Sequence, residues 1–307
     1  MGAHNQDHMR AIFTESLRPF SEALREYTVA AADRPALPSA DSEAMREMAD
    51  EKQWAIPDWK EPARNAHSYG RVLCHHLIDH ADSYAAIAGA AWLGPSFAHA
   101  SILRSVVEVA TTAGWLLEPS IGAEKRIQRS TVYRIDSAVN LGRMNHVGHA
   151  ADTVKDGLQK AIDYAGAVGW SVVNLANAGR KSVGGEAMPF PDSGFSEVAF
   201  GTSNERFDRT LWNYLSAQTH GTFYAVAQVL SPPPGITPDP LDPNGTVRAV
   251  GASSSNVLTF GGVLFCAVRS VVQRRDILNG WTATDEEIDA AKRVAKVTTE
   301  TAVSFAP

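Results

Sequence analysis

Apolar residues recur every three to four positions along most of this 307-residue chain, and this helical period constrains the fold more than any other feature. The first such stripe ends at Asp33-Arg34-Pro35 and comprises Ile12, Phe13, Leu17, Phe20, Leu24 and Tyr27. No run alternates polar and apolar residues with β-branched enrichment, so we expect essentially no sheet. Further helices are predicted at about 41–53, 64–93, 96–118, 121–146, 150–179, 205–230, 256–279 and 284–304. The pattern predicts an all-α fold, an elongated antiparallel helical bundle.

Local signals mark helix starts and one connector. Asp41 or Ser42 is suited to cap the short acidic helix, and Thr284 to Glu287 forms a capping-box pattern at the last helix. The segment WAIPDWKEP at 54–62 is punctuated by prolines, which interrupt helices. We therefore predict an N-terminal helical arm and connector over 1–62, followed by the main helical bundle over 63–307.

Two long segments lack a helical period. Residues 180–204 combine glycines with scattered aromatic residues, and residues 231–255 include SPPPGITPDPLDPNG, whose prolines favour extended and turn conformations. We predict both segments as loops. Loops of this length often act as lids or binding loops, and the alternative is a simple crossover at the end of the bundle.

Composition limits the class of protein. An apolar content of 44% with 20% charged residues is typical of a soluble globular protein, and a net charge of -6 argues against a nucleic-acid partner. The locally basic segment 124–143 is interpreted as a solvated helix face. Cys74 and Cys266 lie in apolar helical patterns, as buried free thiols do in a reducing compartment. Without a signal pattern or an uninterrupted apolar span, we expect a cytoplasmic protein with no membrane partner.

A predicted helix that is otherwise nearly uncharged contains one ion pair, and this pair is the first indication of a functional site. Arg104 and Glu108 are four residues apart in SFAHASILRSVVEVATTAGWLL (96–117), on the same face as Phe97, Thr111 and Trp115. The opposite face is also apolar, so the helix is expected to be buried on most sides. Because burying charge is costly, the pair indicates a wet side, a polar network or a pocket.

Polar residues on two other predicted helices are candidates to approach this pair. His76 and His80 lie four residues apart on the preceding helix, beside its apolar stripe. The later helix carries a mixed polar face formed by Asn213, Ser216, His220 and Tyr224. Consecutive helices joined by a short turn pack antiparallel, which favours contact between the histidines and the ion pair.

These residues form the predicted site, a buried polar pocket that binds a small, largely apolar ligand. His80, Glu108 and His220 are the candidate acid–base groups, because burial would shift their pKa values. The predicted binding residues are Arg104, Trp115, Tyr84, Tyr224, Asn213 and His76. Whether chemistry follows binding, and with which cofactor, is left open by the sequence.

Two other interpretations of the same residues remain. His76 and His80 with Glu108 and His220 would offer nitrogen and oxygen ligands to zinc or iron, but the chain lacks the Glu-x-x-His pair of di-iron bundles, so we predict no metal. The polar groups could instead satisfy one another and fix the register of the helices, as in a structural or protein-interaction bundle.

Three short motifs carry a resemblance: LRSVVE (103–108), WLLEP (115–119) and YLSAQTHG (214–221). Together they resemble uncharacterised all-helical bacterial proteins of the actinobacterial type, which are distantly similar to HEPN-type bundles. That group includes toxins and phage-defence RNases, whose signature is an arginine followed a few positions later by a histidine. Arg71 to His76 and Arg143 to His149 match it loosely, as often as chance allows. The resemblance implies a HEPN-like RNase as the alternative function.

The apolar helix at 256–279 also predicts self-association. Its sequence NVLTFGGVLFCAVRSVV offers more apolar surface than one bundle is expected to cover, so we predict a homodimer. Gly261 and Gly262 within it would allow close helix approach or a local kink.

Overall fold

The computed structural model describes residues 13–90, 98–143, 150–175, 180–220 and 254–304, and it confirms an all-α helical bundle. The helices are α1 (Arg18–Ala32), α2 (Glu43–Asp50), α3 (Pro62–Ala90), α4 (Ala98–Leu116), α5 (Ala123–Arg143), α6 (Ala150–Ala167), α7 (Pro191–Phe200), α8 (Glu205–Thr219), α9 (Ser254–Asn279) and α10 (Asp285–Ser304). A π-helical turn at Phe13–Leu17 precedes α1, and a 3-10 turn at Glu51–Trp54 follows α2. Within the same ranges the strands are β1 (Val172–Asn174) and β2 (Lys181–Val183).

The main core is built around α3, which runs antiparallel to α1, α4 and α9. Ser21 of α1 donates to the carbonyl of Ala85 at 2.7 Å, and Arg25, one turn later, reaches Asp82. Gly70 near the start of α3 faces Leu117 at the end of α4. The hydroxyl of Tyr84 donates to the carbonyl of Val257 of α9 at 2.6 Å. Because α9 and α4 are both antiparallel to α3, they run parallel to each other.

Helix α1 belongs to this core. Phe20, Leu24 and Tyr27 are buried in the same apolar cluster as residues of α3, α4 and α9. The described part of the predicted N-terminal arm is thus packed on the main bundle, and a boundary at residues 62–63 stays a prediction.

A second core joins α5, α6 and the start of α3. Trp59 and Tyr164 pack with ring centroids 4.3 Å apart, and Trp170 meets Tyr164 edge to face. Val183 of β2 closes this cluster from the side of the small sheet.

The region 168–204 differs most from the sequence prediction. The helix predicted over 150–179 ends at Ala167, because Gly169 adopts a left-handed φ of +83° and the chain then turns into β1. Strands β1 and β2 pair antiparallel, with Val172 opposite Val183. The prediction of 180–204 as a loop was wrong, since it contains β2 and α7; Pro191 suits the first turn of α7. Of the second predicted loop, residues 231–253 lie outside the described ranges.

Local helix signals were more reliable. The hydroxyl of Ser42 accepts from the backbone N–H of Met45 at 3.2 Å, which confirms it as the cap of α2. Thr284 likewise accepts from the N–H of Glu287, but the Glu287 carboxylate pairs with Arg34 instead of closing the capping box. Gly261 confirms the close approach predicted for α9: a Cβ there would lie 2.3 Å from the Phe20 ring.

Candidate functional site

The structure brings three predicted residues together between α4 and the end of α8. Arg104 Nη1 lies 2.9 Å from His220 Nε2, and Arg104 Nε lies 3.7 Å from the Glu108 carboxylate. Because the guanidinium only donates, the histidine nitrogen accepts, which requires neutral His220 with its proton on Nδ1. The Arg104 guanidinium is also 4.8 Å from the centre of the Trp212 ring. The side chain of Glu108 is 50% exposed, so the group forms a surface cluster and not a buried pair.

The predicted histidine pair lies elsewhere on α3. The rings of His76 and His80 contact each other edge to face, with centroids 4.3 Å apart. Partial burial, and then the neighbouring His76, lower the pKa of His80, while Asp79 opposes the shift. In the described part of the chain no hydrogen bond or ion pair joins this pair to Arg104 or Glu108.

The remaining predicted residues occupy other environments. Tyr84 is fully buried in the main core, where its hydroxyl is paired with Val257. Trp115 is half-buried, and the guanidinium of Arg129 stacks 5.2 Å from its ring centre. Asn213 is exposed on α8, and Tyr224 lies outside the described residues.

A buried ionic cluster that the sequence did not predict joins α2, α3 and α5. Arg126 is completely buried and donates to both carboxylate oxygens of Glu47, at 2.7 and 3.1 Å. Its remaining N–H groups bond the carbonyls of Leu116 and Glu118. His67 Nε2 lies 2.8 Å from the same carboxylate. Because the charge of Arg126 is paired with Glu47 inside the protein, this cluster acts as a clamp between helices.

Burial and pairing act in opposite directions within this clamp. Burial alone would raise the pKa of Glu47, but the hydrogen bonds from His67 and Arg126 hold it at about 2. Burial lowers the pKa of His67 despite the hydrogen bond to Glu47, so His67 is neutral at pH 7. Glu47 is therefore ionised and paired with Arg126 across the neutral range.

A second buried ionic cluster ties α1 to α9 and α10. Arg34 donates to Asp276 at 2.7 Å and also pairs with Glu287. Arg275 donates to the other oxygen of Asp276 at 2.8 Å and to the carbonyl of Ala31. Two arginines thus neutralise two carboxylates inside the fold, with all four side chains at most 8% exposed.

Beside this second cluster, a groove of about 590 Å³ runs between α9 and α10. Tyr27 of α1 lies at its base, and the indole of Trp281 lines it just after α9. Ile277 and Ile288, 61% and 41% exposed, form apolar walls. Arg269 and Lys292 place positive charge on its rim. We name this site the α9–α10 groove.

Unpartnered polar atoms concentrate around the α9–α10 groove. Among the described residues, five buried side-chain polar atoms have no hydrogen-bond partner in the protein, and four belong to Tyr27, Arg275, Asn279 and Trp281. The Tyr27 hydroxyl and the Trp281 Nε1 are on residues that line the groove, and Arg275 lies 5.7 Å from the Trp281 ring centre. The fifth atom, Nδ1 of His67, lies in the first cluster. Since an unpaired buried donor is costly, this grouping marks the groove as the candidate site.

A smaller groove of about 400 Å³ lies over the second core. Arg134 stacks 3.8 Å from the centre of the Trp59 ring, and the rim carries Lys160 and Asp163. The hydroxyl of Tyr164, which also lines it, is already bonded to the carbonyl of Trp54. Because this hydroxyl is already paired, the smaller groove is a weaker candidate for a ligand-binding site than the α9–α10 groove.

Two further findings concern metal and membrane. Within the described ranges, no group of three or more His, Cys, Asp or Glu side chains is placed to hold a metal ion. One described helix, Asn256–Asn279 within α9, is long and apolar enough to cross a membrane by length and composition. Half of its apolar window is buried inside the bundle.

Little in the sequence marks the α9–α10 groove. The apolar period correctly predicts that the ring of Tyr27 is buried in the core. It contains no information on whether the hydroxyl group of Tyr27 is hydrogen-bonded. Trp281 follows Gly280 in a short turn, where no motif marks it.

The chain matches no family model, no curated protein and no solved structure. The resemblance to HEPN-type bundles stays a prediction.

Proposed function

We propose that the protein binds a small, largely apolar molecule in the α9–α10 groove. The observation that carries the proposal is the unpaired Tyr27 hydroxyl and Trp281 N–H on the lining of that groove. A volume of about 590 Å³ lies within the range of about 300–1,000 Å³ common for small-molecule sites.

The energetics favour a ligand with a polar end. Each buried unpaired donor costs about 1–3 kcal/mol, and a ligand acceptor that pairs with it removes that cost. The exposed Ile277 and Ile288 lose contact with water when an apolar body covers them, which adds a hydrophobic contribution. A molecule with an apolar body and a polar end fits both features.

The α9–α10 groove is not the site predicted from the sequence, although the proposed ligand is of the same class, a small and largely apolar molecule. Arg104, Glu108 and His220 form a partly exposed cluster in which Arg104 already bonds His220 and stacks on Trp212. The α9–α10 groove instead combines apolar walls with unpaired polar atoms. It therefore carries the binding proposal.

Titration calorimetry with phenylbutanol as a neutral probe tests the proposal. Ala295 is exposed and lines the groove, so Ala295→Trp fills it without disturbing the core. We expect saturable binding to the wild type that is weakened at least about tenfold in Ala295→Trp.

The matched control is Ala86→Trp, which adds the same side chain at an exposed position of α3 away from the groove. It should bind phenylbutanol as the wild type does. Equal affinity in all three proteins, or no saturable binding to the wild type, would contradict the proposal.

A HEPN-like RNase is the second candidate, and one observation favours it. Neutral His220 accepts from Arg104, and Glu108 lies beside them at the surface. A phosphate that took over the hydrogen bond of Arg104 would free Nε2 of His220 to act as a base beside a guanidinium, an arrangement that suits phosphodiester cleavage. RNA cleavage that is lost in His220→Ala but kept in His75→Ala, another exposed histidine, would support it; an inactive wild type would argue against it.

A further inference from the structure

We propose that the ligand of the α9–α10 groove is an anion, an apolar body that ends in a carboxylate, held by Tyr27 and Trp281 at the base and by Arg269 at the rim. This inference rests on the proposed function and adds the charge and head group of the ligand.

The unpaired atoms at the groove define the polar end of the ligand as an acceptor. Trp281 Nε1 can only donate a hydrogen bond. Burial first, and then nearby Glu287, raise the pKa of the Tyr27 hydroxyl, so this group stays protonated and can donate as well. Arg269 acts in the opposite direction on that hydroxyl, which places its charge within electrostatic reach of the same point. A carboxylate, with two oxygens and no hydrogens, suits these donors.

The charges that line the groove favour an anion. Its two acidic residues are already neutralised from inside the fold: Asp276 by Arg34 and Arg275, and Glu287 by Arg34. On the rim, Lys292 pairs with Asp289 at 3.1 Å, both being exposed. Arg269 is exposed on α9 and has no ion pair within the described residues. Arg269 is therefore the charged residue of the groove lining that has no ion pair in the described ranges, and it favours an anion at the rim.

Other head groups fit less well. An ammonium group would meet two carboxylates that are already paired and would be repelled by Arg269. A neutral hydroxyl would pair with the donors but would gain nothing from Arg269. A carboxylate would accept hydrogen bonds from the donors and would also be attracted by the charge of Arg269. Hydrogen bonds with an ionised partner are about twice as strong as neutral ones.

Three probes with one apolar body separate these cases: phenylbutyrate, phenylbutanol and phenylbutylamine, titrated at pH 7 into the full chain. We expect phenylbutyrate to bind at least about tenfold tighter than phenylbutanol, and phenylbutylamine to bind weakest. Arg269→Gln should remove the advantage of phenylbutyrate, weakening its binding at least about tenfold more than it weakens the binding of phenylbutanol. Arg209→Gln, at an exposed position of α8, is the matched control and should change neither.

The outcomes distinguish the inference from the proposed function. If phenylbutanol binds and Ala295→Trp blocks it, but phenylbutyrate binds no tighter, the anion inference is overturned and the groove remains a binding site. If Arg209→Gln weakens phenylbutyrate as much as Arg269→Gln does, the preference is general surface attraction, and the inference is again overturned. If no probe binds, the proposed function fails with it.

Discussion

At the scale of single residues, two buried tyrosines differ in whether their hydroxyl groups are hydrogen-bonded. Tyr84 and Tyr27 are both almost completely buried in the main core. The hydroxyl of Tyr84 is bonded to the carbonyl of Val257, whereas that of Tyr27 has no partner in the described protein. The first hydroxyl therefore contributes to folding, whereas the second is the one that we propose as a donor to a ligand.

This contrast predicts opposite effects of the same substitution. Tyr84→Phe removes the buried hydrogen bond to the carbonyl of Val257 and should lower the free energy of unfolding by about 1 kcal/mol. Tyr27→Phe removes an unpaired group, so it should leave the free energy of unfolding unchanged or raise it by up to about 1 kcal/mol. Urea denaturation measures both. A Tyr27→Phe variant as unstable as Tyr84→Phe would show that the hydroxyl has a structural partner.

The buried Glu47–Arg126 pair predicts a large effect at a single residue. Glu47→Gln leaves the buried Arg126 with only the more distant carboxylate of Glu43, at 3.4 Å, as a counter-charge, so the free energy of unfolding should fall by about 3 kcal/mol at pH 7. Glu22→Gln, in an exposed pair with Arg18, is the control and should cost less than about 1 kcal/mol.

The same pair predicts a pH dependence. The pKa of Glu47 is about 2 in the folded protein and 4.5 when unperturbed, so its stabilisation is fully present above about pH 4.5. As pH falls from 4.5 towards 2, the unfolded chain takes up the proton first and the stabilisation is lost. The difference in unfolding free energy between the wild type and Glu47→Gln should therefore shrink over that range. A difference that stays constant with pH would contradict the depressed pKa.

At the scale of elements, glycines set how closely the helices approach. Gly114 allows α4 to pack against α7, since a Cβ there would lie 2.4 Å from a methyl carbon of Val198. Gly157, in the interior of α6, has open space around it. The two positions share helical backbone and differ only in their surroundings.

Alanine should therefore act in opposite directions at these two glycines. Gly114→Ala forces α4 and α7 apart and should lower the free energy of unfolding by about 1–3 kcal/mol. Gly157→Ala should raise it by about 0.5–1 kcal/mol, because alanine loses less conformational freedom in a helix. Thermal and urea unfolding of the two variants test the packing between α4 and α7 directly. Loss of stability at Gly157 would show an unseen contact on α6.

At the scale of the whole molecule, two ionic clusters fasten the N-terminal segment to the bundle. Arg34 connects the end of α1 to α9 and α10, and Glu47 connects α2 to α3 and α5. Both clusters join residues that are far apart in the chain. The cluster that contains Arg34 forms one side of the α9–α10 groove. Stability of the N-terminal segment and the shape of the groove are thus coupled.

The homodimer prediction belongs to this scale and stays open. Half of the apolar window of α9, the helix on which it was based, is buried within the chain itself. Light scattering on a size-exclusion column decides it. A mass of about 66 kDa, twice 33.0 kDa, would confirm a dimer, and a mass near 33.0 kDa would contradict it.

Most helices could be predicted from the sequence, because a helix depends on a period and on caps that lie within a few residues of each other. Ser42, Thr284 and the stripe through Phe20, Leu24 and Tyr27 are examples. It missed β1 and β2, since strands of three residues are too short to show a period of two.

The candidate site could not be predicted from the sequence, because it depends on contacts between helices. The period placed Arg104 and Glu108 on one face, but whether that face was buried depended on α8, which brings His220 and Trp212 alongside. Whether the hydroxyl of Tyr27 has a partner depends on every side chain that α9, α10 and Trp281 bring within reach. Such pairing joins residues far apart in the chain, so no local pattern records it.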